Sequence, residues 1–349
     1  LKRNLRPEHL ANVMKLSVTE LFEIAEDPRI AYLLPRLRPI GPKMRMITPP
    51  RRRLRMSFQW LSAFLRREFG WHAAAHGSVP GRSPFTAASK HLGPRHLLRR
   101  DVKDAFPSIT SARFYLEMLA LGFEPDIARL LTKLLLPFGS IPQGGPASNA
   151  AFDLFFARID ADISHALSIL NARYTRFTDG LDASFPDAAN AKEISRIFER
   201  NLARLGLRIN ERKMDKDGWQ PLESERALCG VCVNSSSGTQ LPSATLARLI
   251  ANCDSLHRGA RSVAPHTLVG LAKRRRSLQG WLNQASQADI APVNDLQRKL
   301  HQVDVLVGSA LHRSEICLHR SWYFKDQYSD DAAELAGTWH RKLIRKMVA

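Results

Sequence analysis

Cysteine is scarce in this sequence: four residues in 349, Cys229, Cys232, Cys253 and Cys317. They are too few and too scattered to form the disulfide framework of a secreted chain. No apolar run approaches the roughly 20 residues that a membrane-spanning helix needs. The N-terminal segment also lacks the apolar core and small-residue cleavage site of a secretory signal. These absences predict a soluble, cytoplasmic protein with no membrane partner. Acidic residues are short as well, 33 Asp and Glu against 52 Lys and Arg, for a formal charge of +19. That balance excludes an acidic solvating protein and argues against a small-molecule enzyme. It favours a polyanionic partner, with nucleic acid first.

What is present can build a large core. Apolar residues make up 44% of the chain, which argues against disorder, and neither an internal repeat nor a low-complexity tract is found. The charge is uneven: residues 1–100 hold 20 Lys and Arg against 6 Asp and Glu, a balance of +14. Helical spacing of apolar residues predicts two short helices over 7–31 and a basic-faced helix over 51–67. Strands are predicted at 43–47, 97–106, 207–209 and 227–233, with a hairpin over 172–185. Further helices are expected over 84–91, 112–136, 147–170 and 189–205, and after 241 the pattern is helical. The fold class is therefore α+β, followed by an all-helical part.

Two predicted strands end in acids, Asp101-Val-Lys-Asp-Ala-Phe106 and Phe177-Thr-Asp-Gly-Leu-Asp182. Asp at a strand end is also a common turn former, so either segment alone has an ordinary structural explanation. Between them lies Ile141-Pro-Gln-Gly-Gly-Pro146, a loop opening a helix and offering backbone N–H groups to an anion. Carboxylate clusters, such a loop and a basic surface together suit Mg²⁺-assisted phosphoryl transfer, because hard cations take oxygen ligands.

In the order of these blocks, over about 39–280, the chain resembles the prokaryotic reverse transcriptases, and most nearly the retron and phage-defence group. The resemblance implies a right-hand polymerase fold: fingers and palm over 1–240, a helical thumb over 241–322 and a C-terminal helical extension over 323–349. It implies that Asp101, the Val102 carbonyl and Asp179 hold two Mg²⁺ ions, with Mn²⁺ as a possible substitute. Lys213, after Leu205-Gly-Leu-Arg-Ile-Asn210, would protonate departing pyrophosphate; by spacing alone it is a solvated lysine. Phe106 falls at the steric-gate position, which favours deoxynucleotides, or else is a core aromatic. Gln143 and Gly144 would hold the incoming nucleotide, and Lys43, Arg45 and Arg82 would meet triphosphate or template. Lys273, Arg274, Arg275 and Arg276 resemble a thumb helix tracking a phosphate backbone; the bland reading is a solubilising face. Cys229 and Cys232 fall in a block similar to the primer-grip hairpin. Their spacing leaves zinc or buried strand thiols open, and no second ligand pair follows.

The chain departs from the family at three places. Ala87 stands where the retron signature Asn-Ala-x-x-His has Asn, although His91 is kept. Pro146-Ala-Ser-Asn149 lacks a second proline after Ser. Most consequentially, Gly180 replaces the second acid of the aromatic-x-Asp-Asp motif. Gly180 is open to three origins: an engineered knockout, a natural change with reduced activity, or a pseudo-polymerase that binds RNA. Asp182 could reach the site only if the hairpin turn fell between it and Gly180. The expected function is RNA-directed DNA polymerisation on a structured RNA template, from dNTPs to a DNA product. Resemblance adds a bacterial setting in anti-phage defence, with an effector protein as partner. The competing reading is a catalytically silent scaffold for a non-coding RNA or a partner protein.

Overall fold

In the computed structural model the residues described are 4–40, 43–69, 71–211, 225–261, 275, 278–279, 282–283 and 294–304. The chain divides into two compact units, Leu1–Cys229 and one that begins at Gly230.

In the first unit, α1 (Pro7–Met14) and α2 (Val18–Glu26) form where expected. Ser17 caps α2 through its hydroxyl, which accepts from the Glu20 N–H, while the Glu20 carboxylate accepts from the Ser17 N–H. A hairpin follows, β1 (Arg36–Ile40) and β2 (Lys43–Ile47), whose register sets Leu37 opposite Met46 and Arg38 opposite Arg45. One face of the hairpin is thus apolar and the other basic. Next come α3 (Arg52–Phe69) and the short α4 (Pro84–Ala88).

A three-stranded antiparallel sheet lies at the centre, in the order β3 (His96–Asp101), β5 (Gly180–Phe185), β4 (Arg173–Phe177). The strand expected to run to Phe106 stops at Asp101. Asp104 then takes a left-handed conformation, φ 44°, and α5 (Ala105–Ser108) begins. The helix expected over 112–136 is two, α6 (Ser111–Ala120) and α7 (Pro125–Leu135). Gly122, at φ 90°, ends the first and Pro125 starts the second. The predicted strand at 207–209 is reduced to a single bridge between Ile209 and Val102.

Helix α8 (Ser148–Ile169) is buried over much of its circumference, with Phe152, Phe155, Phe156, Ile159 and Ile163 inside. It packs against β4 and α9 (Ala191–Arg204). At about 1.5–3 kcal/mol per buried large apolar side chain, this helix anchors the sheet. A short strand, β6 (Ala227–Leu228), ends the unit.

In the second unit, β7 (Val231–Cys232) precedes α10 (Ser243–Arg261), whose Leu249, Cys253 and Leu256 are buried at helical spacing. Residues 294–304 are helical, and Lys299 reaches Asp254 at 2.7 Å. No helix among the described residues is long and apolar enough to cross a membrane.

Candidate active site

The site forms at one corner of the sheet. Asp101 ends β3, and its ladder partner is Gly180, the first residue of β5. Gly180 also pairs with Phe177, so Thr178 and Asp179 make the two-residue turn of the β4–β5 hairpin. The Val102 N–H donates to the Asp179 carbonyl at 2.9 Å, which fixes the turn beside the end of β3. Asp101 in turn accepts from the Asn210 N–H at 2.7 Å through its own carbonyl. Two acids 78 positions apart in sequence are thereby brought to one place.

Thr178 is held at φ 57°, uncommon for a β-branched residue, by the strand and loop around it. Arg176 donates from Nη1 to the Thr178 carbonyl at 2.9 Å. The His76 N–H donates to the Arg176 carbonyl at 2.8 Å, and the Arg176 N–H to the Ala74 carbonyl at 2.7 Å. Gly77 lies so close that a Cβ there would sit 2.4 Å from the Thr178 nitrogen.

Arg176 is fully buried, and nothing in the sequence distinguished it from the other arginines. Its Nε and Nη2 donate to Asp160 at 2.8–3.0 Å, and Nη2 also donates to Asp153 at 2.9 Å. Its guanidinium lies 4.8 Å from the Phe156 ring centroid. Burial works against its charge, but Asp160 and Asp153 outweigh it and push its pKa up. Burial also raises Asp153, to about 6, against the pull of Arg176. His91, the retained signature histidine, ties the same two strands together from Ser184 Oγ and Thr175 Oγ1, each at 2.8 Å.

A cavity of about 600 Å³ opens beside the acids. Asp101, Val102, Asp104, Phe106, Asp179, Asn210, Arg45 and Gln143 are among its lining residues. A second cavity of about 400 Å³ adjoins it and shares Arg45, Phe106 and Gln143, with Gly144 in its wall. The Gln143 carbonyl accepts from the Thr48 N–H at 2.9 Å, which ties this loop to the end of β2. The Phe106 ring stacks on Phe152 at 5.0 Å and also lines the cavity.

Other expected site residues stand elsewhere. Arg82 does not line either cavity; its Nη1 donates to the carbonyls of His72, Ala73 and Ala75 and shapes the loop before α4. Arg275 forms a two-bond ion pair with Asp304, at 2.8 and 2.6 Å, so its guanidinium is turned to a neighbouring helix. Lys43 opens β2, opposite Ile40. Lys213, Lys273, Arg274 and Arg276 lie outside the described residues, as does Cys317.

The turn falls before Gly180, so Gly180 and Asp182 share β5. Asp182 is fully buried two residues along, where its Oδ1 faces Arg99 Nε at 3.4 Å. Burial pushes its carboxyl up to about 6 against the pull of Arg99. Cys229 Sγ is 4.0 Å from Asp182 Oδ2, and burial raises the thiol's pKa strongly. Burial opposes the charge of Arg99, yet Asp182, Cys229, Asp101 and Asp179 hold its pKa above the ordinary value.

Among the described residues no group of three His, Cys, Asp or Glu side chains could hold a metal ion. The donor set at the corner is two carboxylates beside a cavity. This fits Mg²⁺, which is commonly held by one or two carboxylates and completed by substrate phosphates and water.

Residues 40–217 match the family model described as reverse transcriptase (RNA-dependent DNA polymerase). The chain is 29% identical over 237 residues to the retron Mx65 reverse transcriptase of Myxococcus xanthus, covering 63% of this chain and 54% of that protein. It thus spans about half the length of that relative. To the retron Ec86 reverse transcriptase of Escherichia coli it is 22% identical over 276 residues, covering 78% and 82%. Among solved structures, the apo telomerase of Candida tropicalis aligns at 10% identity with a TM-score of 0.48, covering 89% of this chain and 62% of that one.

Proposed function

Because this chain belongs to the reverse transcriptase family, we propose that it is an RNA-directed DNA polymerase that copies a structured RNA template. The observation that carries the reading is the meeting of Asp101 and Asp179 at the mouth of a cavity that also holds Phe106, Gln143 and Arg45. The incoming deoxynucleotide occupies this cavity, with its triphosphate toward Arg45 and its sugar over Phe106. The Phe106 ring, backed by Phe152, would be the group that excludes a 2′-hydroxyl. Asp101 and Asp179 would hold Mg²⁺, two ions by the resemblance to the family. Mg²⁺ supplies charge that stabilises the transition state and orients phosphate oxygens. The primer 3′ oxygen bonds to the α-phosphorus as the bond to the bridging oxygen breaks. Pyrophosphate leaves and the hydroxyl proton passes to water. Lys213 retains its proposed role as proton donor to pyrophosphate. A setting in anti-phage defence with an effector protein belongs to the same proposal.

Gly180 favours a second reading, an RNA-binding scaffold, since a site short of one carboxylate binds divalent ions less well. Primer extension separates the two. Purified chain with primer–template, dNTPs and Mg²⁺ or Mn²⁺ extends the primer, and Asp101→Ala abolishes extension. RNA binding without extension, in the unmodified chain and in Gly180→Asp alike, would favour the scaffold.

A further inference from the structure

Arg99 stands two residues before Asp101 on β3 and faces Asp182 across the ladder, as Asp101 faces Gly180. Strand alternation puts all four on one face of the sheet. The inner end of the Arg99 guanidinium, Nε, rests 3.4 Å from the buried Asp182 carboxylate, while the side chain as a whole remains 40% exposed. Its outer end reaches toward Gly180: a Cβ built there would lie 3.9 Å from Arg99 Nη2. Gly180 itself is buried, so the exposed part of this corner is the Arg99 side chain, which is paired with Asp182 from behind. Arg99, Gly180 and Asp182 do not line the cavity assigned to the nucleotide. They flank Asp101 along the β3–β5 ladder.

We propose that Arg99 binds the primer strand, its partly exposed guanidinium taking the terminal phosphodiester beside Gly180. The inference rests on the polymerase reading above and adds a binding residue to it. With the 3′-hydroxyl at Asp101, the nearest phosphate of the same strand lies one sugar back, and Arg99 is about 7 Å back along β3. A guanidinium held at Nε presents its Nη groups as a fork suited to a phosphate, which a lysine would not. Position 180 and Arg99 are then matched. An acid at 180 would draw Arg99 into an ion pair and compete with the phosphate for it.

The test uses the full chain and a primer–template whose terminal primer linkage is either phosphodiester or uncharged methylphosphonate, with a control methylphosphonate five linkages back. Affinity is read by fluorescence anisotropy without dNTPs, and extension in a single turnover. The unmodified chain loses about tenfold in affinity for the terminal methylphosphonate, as expected for one charge-assisted contact, and little for the control. Arg99→Gln binds the ordinary primer about tenfold more weakly and no longer distinguishes the two linkages. Gly180→Asp behaves as Arg99→Gln does. If Arg99→Gln fails to fold with Asp182 left unpaired, Arg99→Gln with Asp182→Asn removes both charges and gives the same readout. Losses from substitution and methylphosphonate that multiply, with extension intact, overturn the inference alone and leave Arg99 as the counter-ion of Asp182. A chain that neither binds nor extends primer–template overturns the polymerase reading and the inference with it.

Discussion

Asp101 stands across the β3–β5 ladder from Gly180, so the carboxylate that ends β3 faces a residue with no side chain. The space is real: a Cβ at 180 would meet the Phe177 carbonyl at 3.5 Å and Arg99 Nη2 at 3.9 Å, both ordinary contacts. A Cβ is tolerated there, and what an aspartate does depends on Arg99.

Restoring the acid is therefore expected to help metal binding only when Arg99 is neutralised. Mn²⁺ affinity, measured by electron paramagnetic resonance, should rise little in Gly180→Asp. In the Gly180→Asp, Arg99→Gln double variant it should rise about tenfold further, an effect of about 1.4 kcal/mol. Equal gains in both variants would show that Arg99 does not reach the new carboxylate.

Arg176 balances two buried acids and holds the Thr178-Asp179 turn, so its loss should act on stability and activity together. Arg176→Met leaves Asp153 and Asp160 without their shared cation, and urea denaturation should show a loss of about 3–5 kcal/mol. A loss below about 1 kcal/mol would mean that water reaches the two acids.

Gly77→Ala acts on the turn without touching charge. The new methyl would overlap the Thr178 nitrogen and hydroxyl, at 2.4 and 2.5 Å, and displace Asp179. A shift of this size at a reacting group costs on the order of 100-fold in rate. Single-turnover extension should fall by that order while primer–template affinity changes little.

His91 makes stability depend on pH. Burial first, then Arg173 and His76, depress its pKa to about 3, while in the unfolded chain it titrates near its ordinary 6.5. The folded state thus excludes a proton that the unfolded state accepts. The stabilising contribution is complete above the unfolded value and is lost as pH falls toward the folded one. Between pH 7 and pH 5 the unmodified chain should lose about 2 kcal/mol more than His91→Gln, by linkage. Parallel losses in urea denaturation would show that His91 is protonated in the fold.

Phe106→Val keeps an apolar contact on Phe152 and removes the ring edge from the cavity. Discrimination between deoxy- and ribonucleotides, taken as a ratio of kcat/KM values, should fall by roughly 10- to 200-fold. An unchanged ratio would leave Phe106 as a core aromatic only.

Much of this site is legible in sequence because it is written in short segments. The acids at the strand ends, the Gln143-Gly144 loop and Phe106 each lie within a few residues of a turn or helix start; the local pattern predicts the 172–185 hairpin and the loop but carries the first strand on to Phe106, past its end at Asp101. The errors arise where apolar spacing overrides a local break or where partners come from far along the chain. The single helix expected over 112–136 breaks at Gly122 and Pro125, although the apolar spacing continues through both. Arg82 and Arg275 look like free cations in sequence, yet each has partners that only folding brings to it.

The sequence by itself determined the charge of +19, the order of the motifs and the absence of an acid at position 180. It therefore determined the chemistry available to the site. Tertiary structure alone decided which arginines stay exposed and which are internal, because a guanidinium has the same composition in both settings and differs only in its neighbours. Arg176 became a buried strut for the turn when α8 brought Asp153 and Asp160 against it. Strand pairing set Arg99 beside Gly180 with Asp182 behind it. A ladder aligns residues distant in sequence within hydrogen-bonding reach, and that alignment gives the glycine its neighbour.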